Sequence, residues 1–339
     1  MEFLYEYGLF LAKILTTAGA IVFVVGSIIG MSARNRAQVT DSIEITKLNE
    51  KFDNMRHALE ASVLSKDELK KKAKQEKKEK KKSRKHTDES RGRVYVLNFE
   101  SDVRGTHVGN LREEITAVLT MASSDDQVVA KVESGGGMVH AYGLGASQLD
   151  RIRSREIPLT VCVDKVAASG GYLMACVANR ILAAPFAIIG SIGVIAQLPN
   201  FNKVLKKHDV EFEQITAGQY KRTLTLFGEN TDKDREKMQE DLEVTHALFK
   251  DFVHSHRPEM DVERVSTGEH WLGSTALELG LVDELRTSDD LLLSLSENND
   301  ILEISYKPKQ NLIQKIAAGA TQVAHRLGIR QDSDTHLMM

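Results

Sequence analysis

The sequence predicts an α/β protein built on a mostly parallel sheet and preceded by one membrane-spanning helix. Two observations carry the fold class: from Arg93 onward, short β-rich runs alternate with helical patterns, and glycine or a helix-like stretch follows each run. A third, an uncharged apolar run near the N-terminus, carries the helix. The 339 residues leave room for about two average domains. A hydrophobic fraction of 42% is ordinary for a globular core.

Ile14 to Met31 carries no charge, and extending the run back to Gly8 adds only Lys13, close enough to the end to snorkel. A bilayer core needs about 20 apolar residues, so residues 8–31 are expected to form a transmembrane anchor. A cleaved signal peptide would open on positive charge, whereas Glu2 and Glu6 stand here. Arg34, Arg36 and Lys47 follow the span, which by the positive-inside rule favours a cytoplasmic C-terminal portion. Long domains cross regardless of charge, so the side stays open.

Residues 32–90 read as a charged helical or disordered stalk. The net charge of −3 conceals a block from Lys70 to Lys85 with ten Lys, one Arg and two Glu. No aromatic interleaves it, so stacked bases have no platform and nucleic acid is not an expected partner. Attraction to anionic lipid headgroups fits a basic block so close to a membrane segment. Ile45, Leu48, Phe52, Met55 and Leu59 repeat at steps of three and four, the spacing of a short coiled-coil seam. A helix packed on its own domain explains the same spacing.

The globular domain is expected over 91–306, with an amphipathic tail over 307–339. Val94 to Phe99, Val128 to Glu133, Leu159 to Asp164 and Arg180 to Ala184 read as buried strands, and Leu111 to Leu119 as a helix. A further strand is expected around Phe212 to Ile215. Asp232 to Ser255 reads as a long helix with Met238, Leu242, Thr245, Phe249 and Phe252 on one face, stopped by Pro258. Ile181 to Leu198 is apolar, but Pro185, Gly190 and Gly193 argue for strand, turn and strand over a second span. Cys162 and Cys176 lie in apolar stretches as buried thiols and cannot build a disulfide framework.

Three short elements could carry chemistry. Ser169 follows a predicted strand in Val166-Ala167-Ala168-Ser169-Gly170-Gly171-Tyr172 and opens an apolar helix. Small neighbours let a carbonyl approach, although a serine there is more often a helix N-cap. The turn Ser134-Gly135-Gly136-Gly137 can aim backbone N–H groups at an oxyanion, or simply permit a tight reversal. Lys221 lies in the glycine-led loop Gly218-Gln219-Tyr220-Lys221, where a solvated charge is the usual meaning.

Together with Gly190-Ser191-Ile192-Gly193-Val194, Trp271-Leu272-Gly273 and Gly280-Leu281-Val282-Asp283, these elements resemble the signal peptide peptidase A family, in order and across the globular region. The opening Glu6 to Lys13 and the single repeat look like its one-span inner-membrane members of Gram-negative bacteria. The resemblance implies a crotonase-like fold, related to that of the caseinolytic protease, and a Ser/Lys dyad without metal or cofactor. By motif, Ser169 is the nucleophile and Lys221, 52 residues later, the base. Ser191 falls where the family orients the lysine. The N–H of Gly136 matches an oxyanion donor, and Gly170 can supply a second. Substrates would be peptides or protein fragments.

A lysine base must be neutral, and burial favours the neutral amine over the ammonium. Many family members carry Ser-Pro-Gly-Gly where this chain has Gly135, so the turn lacks the rigidity of a proline ring. The longer members pair a serine of one repeat with a lysine of the other. A single-repeat chain reproduces this by lending Lys221 to a neighbour in a homo-oligomeric ring. Two rivals stand beside this reading: a Ser/His peptidase using His140, and a non-catalytic membrane scaffold. An acyl-CoA hydratase on the same fold would need a pair of placed acids that the glycine turns do not offer.

Overall fold

A computed structural model describes residues 7–20, 42–83 and 91–308. Its contacts separate Ile43–Tyr306 from a unit made of the two chain ends, Met1–Ser42 and Lys307–Met339. In the latter, residues 7–20 form helix α1, where the Thr16 and Thr17 hydroxyls donate to the carbonyls of Ala12 and Lys13 at 2.8 and 2.7 Å. No described helix is long and apolar enough to cross a membrane. The expected anchor over 8–31 continues into residues 21–31, outside the described residues, as does the expected tail beyond residue 308.

From Ser42 the described chain runs through β1 (Ser42–Lys47), α2 (Leu48–Val63) and α3 (Lys66–Ser83). Then come β2 (Gly92–Glu100), α4 (Val108–Leu119), β3 (Gln127–Glu133), α5 (Val139–Arg153) and β4 (Leu159–Val163). A short crossover follows: β5 (Val166–Ala168), α6 (Gly170–Ala175), β6 (Arg180–Ala183), β7 (Ile188–Gly190) and α7 (Asn202–Lys207). The chain closes with α8 (Asp232–His256), α9 (Val262–Val265), β8 (His270–Leu272), α10 (Gly273–Glu278), β9 (Glu284–Leu285), α11 (Ser288–Leu295) and β10 (Asn299–Lys307).

Seven strands form the main sheet in the order β1-β10-β2-β3-β4-β6-β9, parallel from β10 to β9. Side chains alternate across a strand. Leu97, Phe99, Ala130, Val132, Val161 and Ile181 therefore face α4, α5 and α6, while Val94, Val96, Val129, Cys162 and Leu182 face α2 and α11. Helices on both faces explain why these strands read as unbroken apolar runs. Both cysteines are free and buried. The long expected helix is α8, begun by a capping box between Thr231 and Asp234 and ended before Pro258.

One choice left open is decided, and one expectation fails. The seam starting at Ile45 is not one helix: Ile45 lies in β1, and Leu48 is buried against Leu291, Leu292 and Ile301. Thus α2 opens by packing on its own domain, and of its large apolar side chains Met55, Leu59 and Val63 remain exposed. Around Phe212 to Ile215 the chain forms no strand. Its side chains have the β-prone character that suggested one, but a strand needs a ladder partner for its N–H and C=O groups. Phe212 instead packs on the Phe227 ring, centroids 5.8 Å apart, and Ile215 is 96% exposed.

Candidate active site

The second sheet, of order β5-β7-β8, grows from the end of β3 and builds the site. Beyond β3, Ser134 bridges to Ala167 of β5: its N–H donates to Val166 O at 2.9 Å, and its carbonyl accepts from Ala168 N–H at 3.0 Å. Parallel pairing of β5 with β7 sets Ala168 beside Gly190. Three stretches of sequence are so drawn to one corner: the glycine turn 134–137, the nucleophile motif, and the Gly190-Ser191 turn.

Ser169 occupies the N-cap position of α6, yet its side chain makes no capping hydrogen bond. The Oγ has no hydrogen-bond partner among the described residues, so the common structural reason for a serine here does not apply. Its backbone has φ 51° and ψ −119°, a sparsely populated conformation for a residue with a Cβ. Two bonds hold it there: Ser169 N–H to Gly190 O at 2.8 Å, and Leu173 N–H to Ser169 O at 2.9 Å. A sharp strand-to-helix corner of this kind presents a serine hydroxyl outward.

The hydroxyl borders a cavity of about 520 Å³ between α5, α6 and α8. Its wall is chiefly apolar, with Val139, Leu173, Val194, Leu248, Phe249 and Phe252. The α8 face legible in the sequence thus forms one side of the site. His140 lines the same cavity, but no hydrogen bond joins its ring to Ser169 or to a carboxylate among the described residues.

The glycines fit by close approach. Gly136 has φ 86°, and a Cβ there would lie 2.6 Å from Gly170 N and 2.8 Å from Ser169 Cβ. Its N–H, the expected oxyanion donor, is given to Ser134 Oγ at 3.1 Å. The adjoining Gly137 N–H has no acceptor among the described residues and belongs to the cavity lining. Gly170 is the first residue of α6, where an N–H has no intrahelical acceptor.

Lys221 is exposed and does not line the cavity. Its own N–H closes a turn onto Gly218 O at 3.2 Å, and no hydrogen bond joins its amine to Ser169 or Ser191 among the described residues. Ser191, φ 52°, donates its N–H to Glu269 O at 2.7 Å and its hydroxyl to Gly268 O at 3.4 Å. Within one chain, then, the fold gathers Ser169, Ser191, Gly136 and Gly170 and leaves Lys221 outside. Lys165, four residues before Ser169, is no substitute. The Glu133 carboxylate holds its ammonium at 2.8 Å and raises its pKa.

The remaining motifs brace the corner. The Tyr172 hydroxyl donates to Leu281 O at 3.0 Å, and burial pushes its phenol pKa up so that it stays a neutral donor. Trp271 covers Gly190, where a Cβ would lie 2.9 Å from the ring. Asp283 accepts from Ile181 N–H at 2.7 Å and from both ends of the Arg257 guanidinium at 2.9 and 2.6 Å.

Two family models, described as Peptidase family S49 N-terminal and Peptidase family S49, match residues 2–149 and 151–302. The chain belongs to peptidase family S49. It is similar to a protein named "Probable protease SohB" from Haemophilus influenzae, 46% identical over 348 residues and 98% of each chain. A protein of the same name from Buchnera aphidicola subsp. Schlechtendalia chinensis is 48% identical over 87% of this chain and 100% of that one. Among solved structures, the 1510-N membrane-bound stomatin-specific protease, as a lysine-to-alanine mutant in complex with a substrate peptide, aligns with 69% of this chain and 100% of its own. Its TM-score is 0.42 and its identity 14%. As a member of family S49 the protein is a peptidase, and sequence reasoning missed one part of its site. Tyr142 and Ser134 bring buried hydroxyls against the glycine turn, but Tyr142 lies eight residues beyond Ser134, outside every motif quoted above.

Proposed function

We propose that the protein is a membrane-anchored serine endopeptidase on a crotonase-like fold, with Ser169 as nucleophile and Lys221 as general base. One observation carries the serine assignment: an uncapped hydroxyl in a strained corner, beside glycine N–H groups, at the edge of an apolar cavity. Ser169 Oγ attacks the peptide carbonyl while its proton passes to the neutral Lys221 amine. The N–H groups of Gly170 and Gly137 receive the oxyanion, the Gly136 N–H being held by Ser134 Oγ. Collapse breaks the C–N bond, and the leaving amine takes the proton from lysine. Water then hydrolyses the acyl-enzyme by the same route.

An ammonium in water cannot act as a base, so Lys221 has to be enclosed by a second surface. We assign that surface to a neighbouring subunit, with Ser191 orienting the incoming amine. Exposed apolar side chains on the segment that carries Lys221 support this: Val204, Val210, Phe212, Ile215 and Tyr220 are each open to solvent within the single chain. The anchor over 8–31 and the basic stalk would hold such a ring at the inner membrane, against anionic lipid.

The experiment is covalent labelling with a fluorophosphonate, followed by peptide mapping and turnover of an apolar peptide substrate. Label on Ser169, and loss of both label and turnover in Ser169→Ala, are expected. Turnover surviving in Ser169→Ala would sink the assignment.

A further inference from the structure

We infer that Tyr142 and Ser134 are positioning residues for catalysis, forming a hydroxyl chain that sets the glycine turn against Ser169. The inference rests on the serine peptidase reading. Ser134 is 3% exposed and Tyr142 fully buried. Ser134 Oγ accepts the Gly136 N–H at 3.1 Å and lies 2.5 Å from the Tyr142 hydroxyl, which donates to Asp102 O at 2.7 Å. With the Ser134 proton directed at Tyr142, donation runs one way through three bonds, from Gly136 to Ser134 to Tyr142 to the Asp102 carbonyl. Bonds in such a chain polarise and strengthen one another.

The same tyrosine also touches the nucleophile side. A Cβ on Gly170 would lie 2.5 Å from Tyr142 Cγ, and one on Gly136 would lie 2.7 Å from Ala168 O. The ring of Tyr142 thus limits how closely the Ser169-Gly170 corner approaches, while its hydroxyl fixes the turn facing that corner. Where Gly135 leaves the turn without a proline ring, this chain restrains it instead. A helix that needed only a buried aromatic at 142 could use phenylalanine, which fills the same space without the hydroxyl.

In Tyr142→Phe, the Ser134 proton turns from Tyr142 to Ser101 O, 3.2 Å away, and the bond that Ser134 Oγ accepts from Gly136 loses the support of the chain. The test measures three quantities on the full chain, well below the melting temperature: kcat and KM on one peptide, the rate of fluorophosphonate labelling of Ser169, and hydrogen exchange of the Gly136 amide. Tyr142→Phe and Ser134→Ala should each lower kcat and labelling roughly ten- to hundredfold with KM little changed. Gly136 exchange should rise roughly tenfold in Ser134→Ala, which removes its acceptor, and severalfold in Tyr142→Phe, which weakens the same bond. A purely structural hydroxyl would lower the melting temperature and leave kcat of the folded enzyme intact. Wild-type kcat and wild-type exchange in a folded Tyr142→Phe would overturn the inference. A wild-type chain that cleaves no peptide would overturn the peptidase reading, and Gly136 exchange in the two variants then decides the inference by itself.

Discussion

The Ser169 N–H donates to the Gly190 carbonyl at 2.8 Å, tying the nucleophile to the residue just before Ser191. This one bond makes the nucleophile corner depend on the turn after β7, and that turn depends on Trp271 lying across Gly190.

Gly190→Ala should therefore damage the site from its far side. Gly190 has φ 102°, and the new Cβ would lie 2.9 Å from the Trp271 ring. A loss of about 1–3 kcal/mol of stability is expected, the usual cost of forcing an L residue into such a conformation. Trp271 is the one tryptophan of the sequence, so its fluorescence reports the displacement directly. Unchanged emission and an unchanged urea midpoint would show that the contact is slack.

Lys221→Ala is expected to abolish turnover without lowering the melting temperature, because the exposed side chain contributes no packing within its own chain. Mixing Ser169→Ala with Lys221→Ala subunits, each inactive alone, should restore partial activity where an intact serine meets an intact neighbouring lysine. Verified mixed oligomers that stay inactive would place both groups in one chain. His140→Ala should keep most of the activity.

Gly143 lines the cavity on α5, and a Cβ there meets nothing within 4 Å. Gly143→Leu should raise helix stability by about 1 kcal/mol, because glycine is a poor helix former. The same side chain should fill the substrate cavity and raise KM for peptides with large apolar side chains. Thermal melting and Michaelis kinetics on the same preparation check the two opposite effects.

Acid stability should depend on Asp283. Burial pushes its carboxyl pKa up, but the Arg257 guanidinium and the Ile181 N–H outweigh burial and hold it below the ordinary carboxylate range. A depressed folded pKa stabilises above the unfolded value of about 3.9, and the contribution fades as pH falls through the folded value. Asp283→Asn should cost about 2 kcal/mol at neutral pH, the scale of hydrogen bonds to a charged group. The gap from wild type should narrow below about pH 4. Urea midpoints at several pH values measure it; a gap constant down to about pH 3 would contradict the linkage.

The sequence by itself determined the strands β2, β3, β4 and β6, because burial on two faces writes an unbroken apolar run. It determined α8 and the α8 face that walls the cavity, because a helix buried on one side repeats its apolar residues at a fixed period. The joint resemblance of its motifs to a known family, and no one motif alone, pointed to Ser169, Lys221, Ser191 and the glycine turn. Only the tertiary structure decided that Ser169 is uncapped, for a capping bond depends on one side-chain torsion and not on residue type. It assigned Ile45 to a strand and Leu48 to the core, and left Phe212 to Ile215 without a ladder, since pairing depends on a partner far away in the chain. The Tyr142–Ser134 hydroxyl contact belongs to the same class. Two buried oxygens eight residues apart meet at 2.5 Å because α5 folds back over the end of β3, and no local pattern records that meeting.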